Sequence, residues 1–361
     1  MCHKKVTNKQ IMSTTMENAT SAALIINLGS PASTKVSDVK TYLGEFLMDE
    51  NVIDYPYFLR ALLVKGIILN VRPKKSAEAY DTIWWDEGSP LIVLSERLQA
   101  SMQEKIDTPI FLAMRYANPS IPGTLNAMRE AMPNLKKIFV IPLYPHYAMS
   151  SYGTVKDRVA EVAQKEHSDL EVVFQPPFYT DEDYIKVLAN SIKEKLPEDH
   201  HLLFSYHGIP VRHLKKTDPS KVHCSRVKDC CNVNNKEVHA VCYKHQTQVT
   251  SLRVAEELGL SLDQYSTSYQ SRLGLAEWIR PYTAKEFERM PKDGIKKLAV
   301  VCPAFVSDCL ETLEEIYVEG KEDFMHAGGE SFVTIPCLNT QEDWVKLLVS
   351  WVRNHCFTEA S

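Results

Sequence analysis

Residues 300–319, VVCPAFVSDCLETLEEIYVE, hold the side chains best suited to handling a cation. Glu311, Glu315 and Glu319 recur at i, i+4 and i+8, so a helix here carries three carboxylates on one face. Like charges at that spacing cost an isolated helix roughly 0.2–0.5 kcal/mol a pair, which a solvated face or a bound cation must offset. Carboxylate oxygens suit divalent metals, and a ladder of them can pass such an ion along. Asp308 precedes the ladder. Far upstream, His207 in SYHGIP supplies an imidazole whose ordinary pKa suits a proton acceptor near neutrality. Taken singly, the ladder reads equally well as a solvated acidic face, and the histidine as a hydrogen-bonded structural residue.

A second group lies in residues 210–248. Of nine cysteines, Cys224, Cys230, Cys231 and Cys242 crowd into this one stretch, while Cys2, Cys302, Cys309, Cys337 and Cys356 are scattered. The stretch shows little periodicity, and so long a loop in a compact domain needs a staple. In a reducing compartment clustered thiols bind metal more often than they pair as disulfides. Four thiolates suffice for a 2Fe–2S centre. His223, His239 and His245 lie among them and keep zinc as an alternative, with unmetallated thiols as a third reading.

The elements that must position these groups alternate strand and helix, the mark of parallel sheets built from βαβ units. Strands are expected at 22–28, 109–115, 137–142 and 170–175, then at 201–206, 264–269, 297–302 and 331–335. Four and four imply an α/β protein of two doubly wound halves with a cleft between them. The division is a leader at 1–20, a first half at 21–176, a second at 177–338 carrying the cysteine-rich insert 211–248, and a C-terminal helix at 339–361 that packs back. Polar residues gather at the strand ends: Asn27 to Pro31, Arg115-Tyr116, Tyr144 to Tyr147, Tyr206 to Gly208 and Tyr269 to Arg272. In an open α/β fold these share the rim where ligands bind.

At 361 residues, 44% hydrophobic and 24% charged, with a formal net charge of -5, the chain has no basic excess for nucleic acid. It has no GxGxxG or Walker pattern, which disfavours nucleotides. No apolar run nears the ~20 residues of a membrane span, and the polar leader lacks a signal-peptide core. A cytoplasmic protein is expected, with Met12 or Met16 as candidate starts. Between the first two strands, Ser37 is placed to cap a helix DVKTYLGEFLMDE. The following run, YPYFLRALLV, reads as an ordinary buried helix or as a greasy lip for a flat apolar ligand or a membrane surface. Arg72, Lys74 and Lys75 after it suit acidic groups at the rim, or are simply solvated surface.

Together INLGSP, YLGEFLMD, VIDYP, RPKKSAEAY, EGSPL, AMRYANPSI, PLYPHYA, LLFSYHGIP, YQSRLG, EWIRPYT and CPAFVSDCLETLEEI resemble the ferrochelatase family, from Ala22 to about Trp351. The resemblance implies two Rossmann-like domains, type II chelatase-like, around a porphyrin cleft, and an enzyme that inserts ferrous iron into protoporphyrin. It makes His207, Glu311 and Asp308 catalytic, with Glu315 and Glu319 alongside His207 and Glu311 as a route or ligands for the substrate iron. Leu28, Ser89, Arg115, Tyr116 and Trp278 then contact the macrocycle or its propionates. The chain departs from animal-type members at Cys309, where they have His, and at Met149, where they have a cluster cysteine. Its internal thiols instead resemble bacterial members with an internal 2Fe–2S cluster. A carrier of haem or porphyrin, or a chelatase for another tetrapyrrole or metal, is the competing function. The implied state is a monomer, with a dimer left open, and transient contact with the inner membrane.

Overall fold

The computed structural model describes residues 18–356 apart from 273 and 275. Most of the expected leader, with Cys2, lies outside them. Among the described residues eight strands form two four-stranded sheets, ordered β2-β1-β3-β4 and β6-β5-β7-β8, parallel throughout. They are β1 Ser21–Asn27, β2 Ile110–Met114, β3 Lys137–Pro142, β4 Glu171–Phe174, β5 His201–His207, β6 Tyr265–Gln270, β7 Lys297–Val301 and β8 Ser331–Ile335. All eight expected strands are present, displaced by no more than about a residue at most ends. They were readable because inner strands of a covered parallel sheet are apolar on both faces: β1, SAALIIN, is buried along nearly its whole length. The two strand orders are topologically identical. In each, the order reverses beside the first strand of its half, so the crevices at the tips of β1 and β5 are where a ligand is expected.

One hydrophobic cluster runs under both sheets. It contains Ala23, Ile25 and Phe139 from the first, Leu202, Phe204 and Ala299 from the second, and Trp344 and Leu348 from the Glu342–Cys356 helix. That helix packs on β1, β3 and the Pro90–Gln103 and Glu182–Lys193 helices, with Trp344 against Phe178, Tyr184 and Trp351.

The connection between β1 and β2 folds into a separate helical layer. Its first helix spans Val36–Leu47, and here the expected cap fails: Lys35 is the N-cap and makes no side-chain bond, while Ser37 sits inside the first turn. The work of holding that turn falls to Ser33, whose hydroxyl donates to Asp38 (2.5 Å) and accepts from the Lys35 N–H (3.2 Å). Next, the Tyr57–Leu63 helix passes through a π-helical turn, Val64–Ile68, into the Leu69–Ile83 helix. The buried-helix reading is overturned. Phe58 is 73% exposed and Val71 75%, with Tyr57, Leu59, Leu62 and Ile67 also outward. The one buried residue of Tyr57–Leu63 is Arg60, whose guanidinium donates to the carbonyls of Ile53 and Tyr55. The segment is thus inverted, cation inward and apolar groups outward, which is the mark of a surface meant to meet something apolar. Its base is tied to the second half, where Arg212 bonds Asp54 (2.6 Å) and lies over the Tyr55 ring (4.8 Å). Among the described residues no helix is long and apolar enough to cross a membrane.

Trp344 has no exposed surface. Trp344→Ala should lower unfolding stability by about 3–5 kcal/mol in urea titrations, from lost burial plus a cavity. Trp344→Phe should lose far less, because the buried indole N–H has no hydrogen-bond partner to forfeit.

Candidate active site

β5 ends on His207, paired in register with Gln270 of β6. The peptide unit joining His207 to Gly208 is held at both ends. The Tyr243 hydroxyl donates to the His207 carbonyl (2.9 Å), and the Gly208 N–H donates to the Gln270 carbonyl (2.8 Å). A Cβ on Gly208 would stand 2.7 Å from that Gln270 oxygen, so only glycine allows the approach. His207 Nδ1 lies 2.6 Å from the Gly208 carbonyl. A carbonyl only accepts, so Nδ1 carries the proton and Nε2 of the neutral ring offers a lone pair. The half-buried ring lies between Trp278 (6.4 Å) and Phe305 (6.3 Å), measured between ring centres.

The facing wall is the carboxylate ladder, and β6 fastens it there. Gln270 Nε2 donates to the Glu311 carbonyl (3.2 Å), while the Ser271 N–H (2.9 Å) and hydroxyl (2.6 Å) take the two oxygens of Glu315. The ladder is not the α-helix its spacing implied but a π-helix, Glu311–Gly320. Its wider i→i+5 turn brings residues four apart closer to one line than a 3.6-residue turn does. Glu319 is exposed and Glu315 and Glu311 half-buried, so the row runs from solvent inward. Burial raises the Glu315 pKa, as does neighbouring Glu311, while the Ser271 bonds and nearby His207 pull it back. Glu314, half-buried beside Glu319, Glu315 and Lys75, is raised to about 7, first by burial and then by its two acidic neighbours.

Asp308 is buried, and its carboxylate accepts from the Thr312 hydroxyl (3.0 Å), the Cys337 N–H (3.3 Å) and the Asn339 amide (2.7 Å). These bonds clamp the start of the π-helix to the chain leaving β8.

Across the cleft, Gly29 (φ 106°) lets the main chain after β1 press against Tyr116, whose carbonyl a Cβ there would meet at 2.0 Å. Leu28, Ser30, Tyr42, Tyr80 and Ser89 line the inner end of the cleft opposite Cys309, Leu310 and Glu311. Arg115 donates to the Thr154 hydroxyl (2.7 Å) and pairs with the Asp49 carboxylate, which also accepts from the Tyr116 hydroxyl (2.9 Å). Tyr116 has no exposed surface, so the expected contact with a macrocycle does not arise in this conformation; it braces Arg115, which lies 4.4 Å over its ring.

Three of the four clustered thiols converge in the insert, which is partly helical (Val211–Thr217 and Lys236–His239) and not structureless as expected. Cys224 Sγ lies 3.8 Å from Cys242 Sγ and donates to it, and the Cys231 thiol lies near enough to act on Cys242 as well. These contacts push the Cys242 thiol down and the Cys224 and Cys231 thiols up. Asp218 closes the loop by accepting from the His223 and Cys224 N–H groups (each 2.9 Å). His223 and His239 donate to the Cys230 carbonyl, and His245 to that of Cys231. Among the described residues, no three His, Cys, Asp or Glu side chains form a ready-made metal site.

A family model described as Ferrochelatase matches residues 20–356. The chain belongs to the ferrochelatase family. Its relatives include the ferrochelatase of Pseudomonas entomophila, 47% identical over 92% of this chain and 98% of that one. That of Stutzerimonas stutzeri is 48% identical over 91% and 96%, and that of Opitutus terrae 48% over 92% and 96%. In architecture the chain is similar to SirB from Bacillus subtilis with Fe3+, at a TM-score of 0.52 and 12% identity over 93% of this chain and 96% of that one. That likeness bears on the fold, two four-stranded parallel sheets flanked by helices.

Sequence reasoning missed Asp49, Gln270 as a hub, and Tyr243. Asp49 was the most accessible of these, since an acid just ahead of an aromatic lip invites a search for a buried cation.

The folded protein keeps on Glu314 a proton that the unfolded chain releases near 4.5, so this group favours the fold fully below 4.5 and ceases to above about 7. Glu314→Gln should therefore flatten the decline of the urea midpoint between those two pH values. An unaltered slope would place the proton elsewhere on the ladder.

Proposed function

We propose that His207 accepts the pyrrole protons one at a time, releasing each to solvent, while this enzyme, a lyase, inserts Fe(II) into a porphyrin. The observation that carries the assignment is the Nδ1 bond to the Gly208 carbonyl, which leaves Nε2 as the free base beside the carboxylate-bearing helix. A free porphyrin is planar and holds two N–H protons inside its ring. Both must leave as the dication enters, and the ring must bend to expose its lone pairs. Binding the bent form better than the flat one directs binding energy to the transition state.

Glu311 steadies the imidazolium that forms, and Asp308 acts through the clamp it makes at the head of the same helix. Fe(II), the substrate ion, travels inward along Glu319 and Glu315, whose oxygens suit it. The reverse order, His207 as first ligand of the iron, uses the same groups. Leu28, Trp278 and the apolar lip hold the macrocycle faces, and Ser89 with Arg72, Lys74 and Lys75 receives its propionates. Arg115, fastened to Asp49, stands behind them as the guanidinium a propionate could share. Protoporphyrin is the favoured substrate, because Cys309 resembles the form found in members that use it. The outward Tyr57, Phe58, Leu62 and Val71 side chains suit brief contact with a membrane surface, where so insoluble a substrate resides, and this reading keeps the enzyme cytoplasmic and peripheral at the inner membrane, as a monomer with a dimer left open.

Cys224, Cys230, Cys231 and Cys242 hold a 2Fe–2S cluster in this reading. The fit rests on the convergence of three sulfurs and on imidazole N–H groups turned toward main-chain carbonyls. Bound there, the cluster supplies a structural staple or a sensor, since inserting Fe(II) involves no net electron transfer.

His207→Ala should lower the rate of metallation, followed as loss of porphyrin fluorescence with Fe(II) or Zn(II), by on the order of 10²–10⁴. Retained turnover would remove His207 as the base. Cys231→Ser should abolish a visible absorption band in freshly isolated anaerobic protein and lower its melting temperature; an identical spectrum, or stoichiometric zinc, would overturn the cluster.

A further inference from the structure

Tyr243 is the first residue of the Tyr243–Glu257 helix, and Cys242 is its N-cap. This helix is bonded by hydroxyls to the second sheet at three successive turns of one face. Tyr243 reaches the His207 carbonyl (2.9 Å), Thr247 the Tyr269 hydroxyl (2.9 Å), and Ser251 the Tyr206 hydroxyl (2.9 Å). Its neighbouring face holds the first half: Gln246 accepts from the Tyr147 N–H (2.7 Å), and Thr250 meets His146 Nε2 (2.9 Å). Tyr243 also sets its ring edge-on to that buried imidazole (5.9 Å). A helix nailed this way to both halves has little freedom to tilt. Its first turn is held by the thiol pocket on one side and by the His207 main chain on the other.

We propose that Tyr243 is a positioning residue for His207 and that, through it, the state of the Cys224–Cys231–Cys242 pocket reaches the active site. The route is short. The sulfur of Cys242 and the phenol of Tyr243 belong to adjacent residues, so a change in what holds Cys242 shifts the backbone that carries the phenol. The phenol fixes one end of the His207–Gly208 peptide unit, and the far side of Gly208 supplies the carbonyl that selects the His207 tautomer. The inference rests on His207 being the proton acceptor, and the measurement below separates the two.

The test uses the full-length protein with 15N-labelled histidine at one fixed pH. Tyr243→Phe keeps the ring and its packing and deletes only the hydroxyl. It should move the His207 ring nitrogen resonances and lower kcat about tenfold, within the range that small misplacements of a reacting group produce, with KM for porphyrin unaltered. Cys242→Ser should move the same resonances, and should move them no further in a protein already carrying Tyr243→Phe. If Cys242→Ser does not fold, Cys231→Ser serves in its place. Thr247→Val removes the next rung of the same helix and should leave His207 as it was. Unmoved His207 resonances in Tyr243→Phe would overturn the proposal, as would equal shifts from Thr247→Val, or shifts from Cys242→Ser that add to those of Tyr243→Phe. Shifted resonances alongside a fully active His207→Ala would instead overturn the catalytic reading and leave the positioning intact.

Discussion

The site depends on one constraint: the end of β6 grips both the strand tip that carries His207 and the helix that carries the carboxylates. Gln270 holds the Gly208 N–H with its main-chain carbonyl and the Glu311 carbonyl with its side chain, while its own side-chain oxygen takes the Ser205 hydroxyl (2.7 Å). Ser271 then takes both oxygens of Glu315. An imidazole at one strand tip and carboxylates on a later helix are thereby fixed by neighbours on a single strand. Groups held this firmly need little reorganisation when charge develops beside them.

How far this was legible in the sequence differs by interaction. The strands were, because inner parallel strands are continuous apolar runs, and the chemistry-bearing residues fall at their ends. The identity of the ladder was also plain, but its helix type was not. A spacing of four fits an α-helix tolerably and a π-helix better, and a carboxylate row carries no signal that separates them. Ser37 was misread because a serine just inside a helix and one just before it look alike until main-chain angles are known. Tyr243 left no trace at all, since its partner is a main-chain carbonyl 36 residues away. Bonds of that kind place no demand on the identity of the partner side chain.

The lip was one of two readings the pattern allowed, and the buried helix, the commoner fate of an apolar stripe, is the one that fails. An apolar stripe with one arginine reads as a buried helix whose cation snorkels outward. Here the cation instead satisfies the carbonyls of the turn ahead of it, which leaves the stripe outward. Burial in this segment follows main-chain hydrogen-bond demand, and hydropathy alone points the wrong way.

The cluster beneath both sheets has a mechanical consequence. Because Trp344 and its neighbours belong to one continuous core, the halves cannot swing apart as rigid bodies without tearing it. The helices after β1 have their own small core, built on Val39, Tyr42, Leu43 and Tyr80, and touch the second half through Leu310 and the Arg212–Asp54 pair. Admission of a flat, rigid guest therefore calls for the jaw formed by these helices to lift while the body stays closed, with Asp54, held by Arg212 and His213, as its latch to the second half and Asp49, held by Arg115, as its hinge on the first.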